Sequence, residues 1–287
     1  MIVPALALTA ALLSACATIF IRLGLRRGDP YTGVWINMIV GAAQMWMIVL
    51  VTGAVGPFSR RSLLLFASAG IIGTIGGRLM RFLAVEKVGA SVSAAVGNLT
   101  PLIATLLAIA VLGERVTAAI LVGTIVIVVG TVLLSTSGGR VGFRPWQIGL
   151  PLLSATCFGT VAVIRKIALG EMGPVLGAAV NFTTAFIAFT AVMIASGHRG
   201  LYACRGRTLV YFVAAGIAEN TGVFLVLMAL TVGSVSVVLP LASSVPIFVL
   251  VLSAIFLRNI EVVTGRVVVG TLLIVAGVCL ITALAGR

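Results

Sequence analysis

The sequence predicts an all-α integral membrane protein: ten transmembrane helices built as two inverted five-helix repeats. Three observations carry this expectation. Of 287 residues, 61% are hydrophobic and only 9% are charged, whereas a soluble domain of this size needs a charged exterior. The apolar stretches are continuous, not alternating as in barrel strands. The chain also repeats itself. Pro30, Gly33 and Asn37 form P-x-x-G-x-x-x-N, and Pro174, Gly177 and Asn181 form it again 144 residues later.

A spanning helix needs roughly 20 mainly apolar residues. Ten segments meet that requirement: 3–24, 32–52, 63–85, 90–112, 118–136, 147–168, 175–196, 208–230, 234–257 and 265–284. The repeat runs through them in order. Phe66 and Gly70 match Phe212 and Gly216, and Val88–Gly89 matches Val232–Gly233. Pro101 matches Pro246, Glu114 matches Glu261, and Gly123 and Gly130 match Gly270 and Gly277. Five spans per copy is an odd number, so the second copy is inverted relative to the first. The joint falls near Gly138, Gly139, Arg140 and Arg144, which divides the chain into residues 1–137 and 138–287.

The start, Met1 to Leu13, has no basic region ahead of its apolar run, so the first segment reads as a retained span and not a cleaved signal. Cys16, Cys157, Cys204 and Cys279 show no paired spacing for metal or disulfide, and the three inside apolar segments read as small packing residues. The net charge of +13 sits in no basic arm or domain, which excludes nucleic acid as a partner and points to lipid headgroups. Thirteen Lys and Arg, from Arg22 to Arg266, fall on the side reached after segment 1, against six on the other. That balance puts both termini outside the cytoplasm.

Polar residues inside the segments mark the candidate site. Glu219 lies mid-way along segment 8 with Asn220 beside it, where an ionised carboxylate costs about 2.5–3.5 kcal/mol unless paired, protonated or wet. It reads either as a coupling or substrate-ammonium site or as a structural partner for a base. Arg78 and Arg81 share one face of segment 3. A guanidinium fork there suits a carboxylate or phosphate, and an Arg78–Glu219 pair across the repeats would satisfy both charges. Pro101 and Pro246 each remove a mid-segment backbone donor, and Pro240 adds a second break in segment 9. The neighbouring Asn98, Thr100, Ser243 and Ser244 are candidates to line a cavity or to bond back to their own helices. Asn37 and Asn181 read as packing residues. Gly70, Gly73, Gly76 and Gly77 predict close helix packing on segment 3, and the glycine pairs of segments 5 and 10 predict tight packing there, against each other or a second subunit.

The stretch from Ala84-Val85-Glu86-Lys87-Val88-Gly89 to Ser93, then Asn98-Leu99-Thr100-Pro101, then Leu112-Gly113-Glu114-Arg115-Val116-Thr117, resembles the EamA-type family of the drug/metabolite transporter superfamily. In the second half Arg258-Asn259-Ile260-Glu261 stands where that pattern has Leu-Gly-Glu. The resemblance implies a ten-helix carrier of small metabolites, often an exporter of amino acids or related compounds, with cytoplasmic termini. The charge count gives the opposite orientation.

Together these readings predict a secondary transporter that exports a small polar metabolite, such as an amino acid or an organic anion, by alternating access of two five-helix bundles. Its substrate would meet Arg78, Asn98, Thr100, Glu219, Asn220, Ser243 and Ser244, with coupling at Glu219 and kinks at Pro101, Pro240 and Pro246. The alternative is a translocase of lipids or lipid precursors. An enzyme is not expected, because His198 is the only histidine and Asp29 the only aspartate. No cofactor or metal is expected. The expected setting is the cell inner membrane, as a monomer or homodimer whose partners are the bilayer and a small molecule.

Overall fold

The computed structural model describes residues 2–25, 27–81, 83–84, 96–135, 148–195, 197, 204–245, 247–248, 252 and 265–284. Glu86, Lys87, Val88, Gly89, the joint at Gly138 to Arg144, His198, Pro246, Arg258 and Glu261 lie outside them.

Helices α1 (Ile2–Leu25), α2 (Pro30–Thr52) and α3 (Arg60–Ile71) open the chain, and α3 continues as a π-helix over Ile72–Leu79. Then come α4 (Thr100–Leu112), α5 (Ala118–Ser135), α6 (Gly149–Ala168), α7 (Pro174–Ala195), α8 (Arg207–Val232), α9 (Val235–Ala242) and α10 (Gly265–Leu284). No strand occurs among the described residues. Among the described residues six helices are long and apolar enough to cross a membrane: Ile2–Leu25, Tyr31–Thr52, Arg60–Leu79, Gly149–Ala168, Pro174–Ala195 and Arg207–Val232. Shorter apolar helices cover Thr100–Leu112, Ala118–Leu133 and Leu272–Ile281.

Local chemistry sets the helix ends. Asp29 accepts from the Thr32 amide at 3.0 Å and Pro30 occupies the first turn of α2, while Gly53 ends it in the left-handed region at φ 62°. Ser59 and Ser62 cap α3 reciprocally. At Pro101, the carbonyl of Gly97 accepts from the Thr100 hydroxyl at 2.7 Å in place of the amide that proline lacks.

The two repeats interleave. Helix α1 packs on α8 and α9, while α6 packs on α3 and α4. Helix α2 packs on α8 just as α7 packs on α3, and α2 meets α7, α4 meets α9 and α5 meets α10. Exchanging each helix for its counterpart five places along reproduces this set of pairs, as a pseudo-two-fold requires. The expectation of two separate five-helix bundles therefore needs correction. The packed groups are α1, α2, α8 and α9 on one side and α3, α4, α6 and α7 on the other, each drawn from both repeats.

The doubled motif explains the interleaving. A Cβ on Gly177 would run into the Phe66 ring, and one on Gly33 would lie 2.9 Å from the Phe212 ring. A Cβ on Gly70 would meet the Asn181 carbonyl and the Thr184 hydroxyl, and one on Gly216 would sit 3.0 Å from Val40. P-x-x-G-x-x-x-N of each repeat thus receives F-x-x-x-G of the other, and Phe66 and Phe212 are both fully buried. Helices α5 and α10 meet by the same device: Cβ atoms on Gly123 and Gly130 would lie 3.1 and 2.7 Å from the carbonyls of Gly277 and Gly270. Of the two expected partners for that glycine face, the structure shows α10 within the same chain.

Substituting Gly70 or Gly177 by Ala is expected to destabilise the fold by about 1–3 kcal/mol, because neither site has room for a methyl group. Gly56, with nothing within 4 Å of its would-be Cβ, is the control. Thermal melts of the full chain in detergent check this, and equal melting of Gly70→Ala and Gly56→Ala would contradict it.

Candidate functional site

The glycine-rich face of α3 brings its arginine to the middle of the bundle. Gly73, Gly76 and Gly77 accept Val161, Cys157 and Phe158 of α6 at would-be Cβ distances of 3.6, 2.6 and 2.6 Å. Ser154 of α6 donates to the Gly77 carbonyl at 2.8 Å. These residues lie in the π-helical stretch, and such wide turns commonly occur at functional positions. Arg78 is the next residue along.

Arg78 Nη1 donates to Asn37 Oδ1 at 2.8 Å, and Asn37 Nδ2 donates to Glu219 Oε2 at 2.6 Å. Arg78 Nη2 also stands 3.8 Å from Glu219 Oε1. The side chains of Arg78 and Glu219 retain 16% and 24% exposure, so the pair is neither sealed nor open to bulk solvent. The structure thus brings together the two expected charges and adds a relay. Asn37 was read from sequence as packing; here its amide satisfies both ions at once, at 4% exposure. Asn220 holds that relay from behind, donating from Nδ2 to the Asn37 carbonyl at 2.9 Å from a fully buried position.

The pseudo-two-fold partner of Asn37 has its own guanidinium. Arg165 Nε in α6 donates to Asn181 Oδ1 in α7 at 2.8 Å. Arg165 and Lys166 stand near the end of segment 6, and the structure turns both inward. Nothing in their spacing announced this beyond the I-R of Ile21–Arg22 recurring at Ile164–Arg165.

A second cluster lies where α8 turns into α9. Glu114, which follows α4, accepts from the amides of Val235 and Ser236 at 2.8 and 3.1 Å and from the Ser236 hydroxyl at 2.7 Å. It caps the N-terminus of α9. Lys166 Nζ donates to the carbonyls of Leu230 and Gly233 at 2.6 and 2.7 Å, capping the C-terminus of α8. Both ends of this turn are therefore held from the opposite packed group.

The remaining candidates sit around the proline breaks. Thr100 and Ser243 bond back to their own helices, Thr100 to Gly97 and Ser243 Oγ to Leu239 at 2.9 Å. Asn98 lies in the turn before α4. Ser244 is 1% exposed, and its hydroxyl has no partner among the described residues. Pro101 and Pro240 are buried within α4 and α9, and Pro246 lies outside the described residues.

An all-helical membrane chain, with interlocked repeats meeting around paired charges, is the architecture of a membrane transporter. A family model described as EamA-like transporter family matches residues 1–136 and 145–283, and the chain belongs to this family. A solved structure described only as "Crystal structure of protein" resembles it over 99% of this chain and 98% of that one, at 20% identity and a TM-score of 0.84. Such a likeness shows the fold alone. No curated protein matches the chain.

Breaking the relay leaves charges without partners, so Asn37→Leu is expected to cost more than the single hydrogen bonds suggest, about 2–4 kcal/mol. In a double-mutant cycle, Arg78→Gln and Glu219→Gln should couple by about 0.5–3 kcal/mol. Additive losses in melting free energy would show that the pair makes no joint contribution.

Proposed function

We propose that this chain is a secondary transporter of a small polar metabolite, an amino acid or an organic anion, which it exports across the cell inner membrane through ten spans. The carrying observation is the Arg78–Asn37–Glu219 relay. It joins α3 of one packed group to α2 and α8 of the other. A substrate with a negative group competes for Arg78, and one with an ammonium group competes for Glu219. Either competition loosens the link between the groups, which is the differential interaction that a change of state needs.

The chain contains no G-x-x-x-x-G-K-[ST] phosphate loop, so ion gradients or substrate exchange are the proposed energy source. Glu219 is the proposed coupling residue, since protonating it releases Arg78 from its carboxylate. Glu114 and Lys166 are proposed to close one end of the pathway by holding the α8–α9 turn across the groups. The rocking bodies would be the two interleaved groups, moving about a site near the midplane.

The test begins with a thermal-shift screen of amino acids, organic acids, phosphates and lipid headgroups on the purified full chain. A stabilising ligand is then followed by counterflow in proteoliposomes. Glu219→Gln is expected to keep measurable exchange while losing acceleration by a pH gradient by about tenfold or more, the scale of one charged hydrogen bond. Gradient-driven uptake equal to that of the unmodified chain would remove Glu219 from coupling. Stabilisation by lipid headgroups alone would favour a lipid translocase.

A further inference from the structure

The doubled motif presents two guanidiniums, not one. Asn37 Oδ1 accepts from Arg78, and Asn181 Oδ1 accepts from Arg165. The two asparagines are equivalent in the repeats, and both are buried, at 4% and 5% exposure. A buried amide fixes the direction of each arginine fork, so neither cation is free to swing out to the membrane surface.

Charge around this pair is unbalanced. Arg78 has Glu219 at 3.8 Å. Arg165 has no carboxylate among the described residues, and its two Nη groups donate to nothing there. The other described acids are engaged elsewhere: Glu114 caps α9, Glu171 contacts Ser59 and Arg61, and Asp29 caps α2. An arginine keeps its proton even where it is costly to stay charged. Two positive groups and one negative group therefore leave one positive charge in a partly buried place. A charge held there without a partner is strongly unfavourable, and a polar or ionisable group in a membrane interior marks a functional site by default.

We propose that Arg165 binds an oxyanion of the transported molecule, a carboxylate or a phosphoryl group, and so restricts the substrate to compounds that carry one. This rests on the transporter reading above and narrows its substrate class. Arg165 Nε stays on Asn181 and its Nη groups face the oxyanion. The bound anion supplies the missing negative charge.

The probes are inorganic phosphate and acetate, titrated into the full chain in detergent against chloride at constant ionic strength, with the melting temperature as readout. The unmodified chain is expected to show a saturable rise with at least one of them, and the stronger one reports whether the site prefers a phosphoryl or a carboxyl group. Arg165→Gln should raise the half-saturating concentration at least tenfold. Arg165→Lys, which keeps the charge but loses the fork, should fall between the two and serves if the Gln variant does not fold. Arg81→Gln should leave the titration unchanged.

A rise that never saturates, or one equal in all variants, would be a general salt effect and would overturn the proposal. No rise with either anion would overturn it as well. Neither result touches the transporter reading, which fails only if no ligand is exchanged in proteoliposomes. Exchange of a purely cationic or neutral substrate would sink the anion site while leaving transport intact.

Discussion

The rest of the structure depends on one reciprocal fit. The glycine of each P-x-x-G-x-x-x-N motif lies against the phenylalanine of the other repeat, Gly33 on Phe212 and Gly177 on Phe66. One turn further along, Gly216 lies on α2 beside Asn37, and Gly70 lies on α7 beside Asn181. In a bilayer no hydrophobic force draws apolar helices together, so close packing at small residues has to do that work. Here it does so twice, and each time it joins the two halves of the chain. The asparagines are the polar ends of the same two contacts. Whatever holds the helices in register therefore also sets where Arg78 and Arg165 are held.

This coupling of packing to charge gives a physical reason for the site's place. A guanidinium inside a membrane needs a fixed acceptor, and the buried asparagines provide one each. Among the described residues only one of the two positions also has a carboxylate, because Glu219 in α8 corresponds to Gly73 in α3. The symmetry supplies two cation holders, and its breach supplies one anion. The α8–α9 turn is asymmetric in another sense: Glu114 and Lys166 grip it from the opposite packed group. Those contacts are all to helix ends, where unpaired backbone groups are available to a charged side chain.

Much of the fold was legible in the sequence. Continuous apolar segments and an ordered series of matched residues lead directly to inverted repeats, and the glycines of α5 and α10 do pack closely. The pairing of Arg78 with Glu219 was also legible, since two opposite charges at similar depth have few other partners. What the sequence did not reveal was the identity of the helix neighbours. Local spacing says which residues share a face, but not which helix that face meets, so Asn37 read as packing when it relays between ions. The partners of Arg165, Lys166 and Glu114 were hidden for the same reason. They lie near segment ends, where position suggests water, and only tertiary contact shows that they turn inward. The π-helical turn at Ile72–Leu79 left no mark except its glycines.

The proposed transport cycle needs the two interleaved groups to move against each other, with Glu114 and Lys166 holding one end. Pulsed electron-spin distance measurement tests this most directly. Spin labels placed by Arg115→Cys and Thr231→Cys, both exposed positions flanking the α8–α9 turn, would be introduced into a chain whose native cysteines are replaced. In lipid bilayers the account predicts a short and a long distance population, with the long one growing when Glu114→Gln and Lys166→Met are added. A single short distance, unmoved by removing both grips, would contradict it.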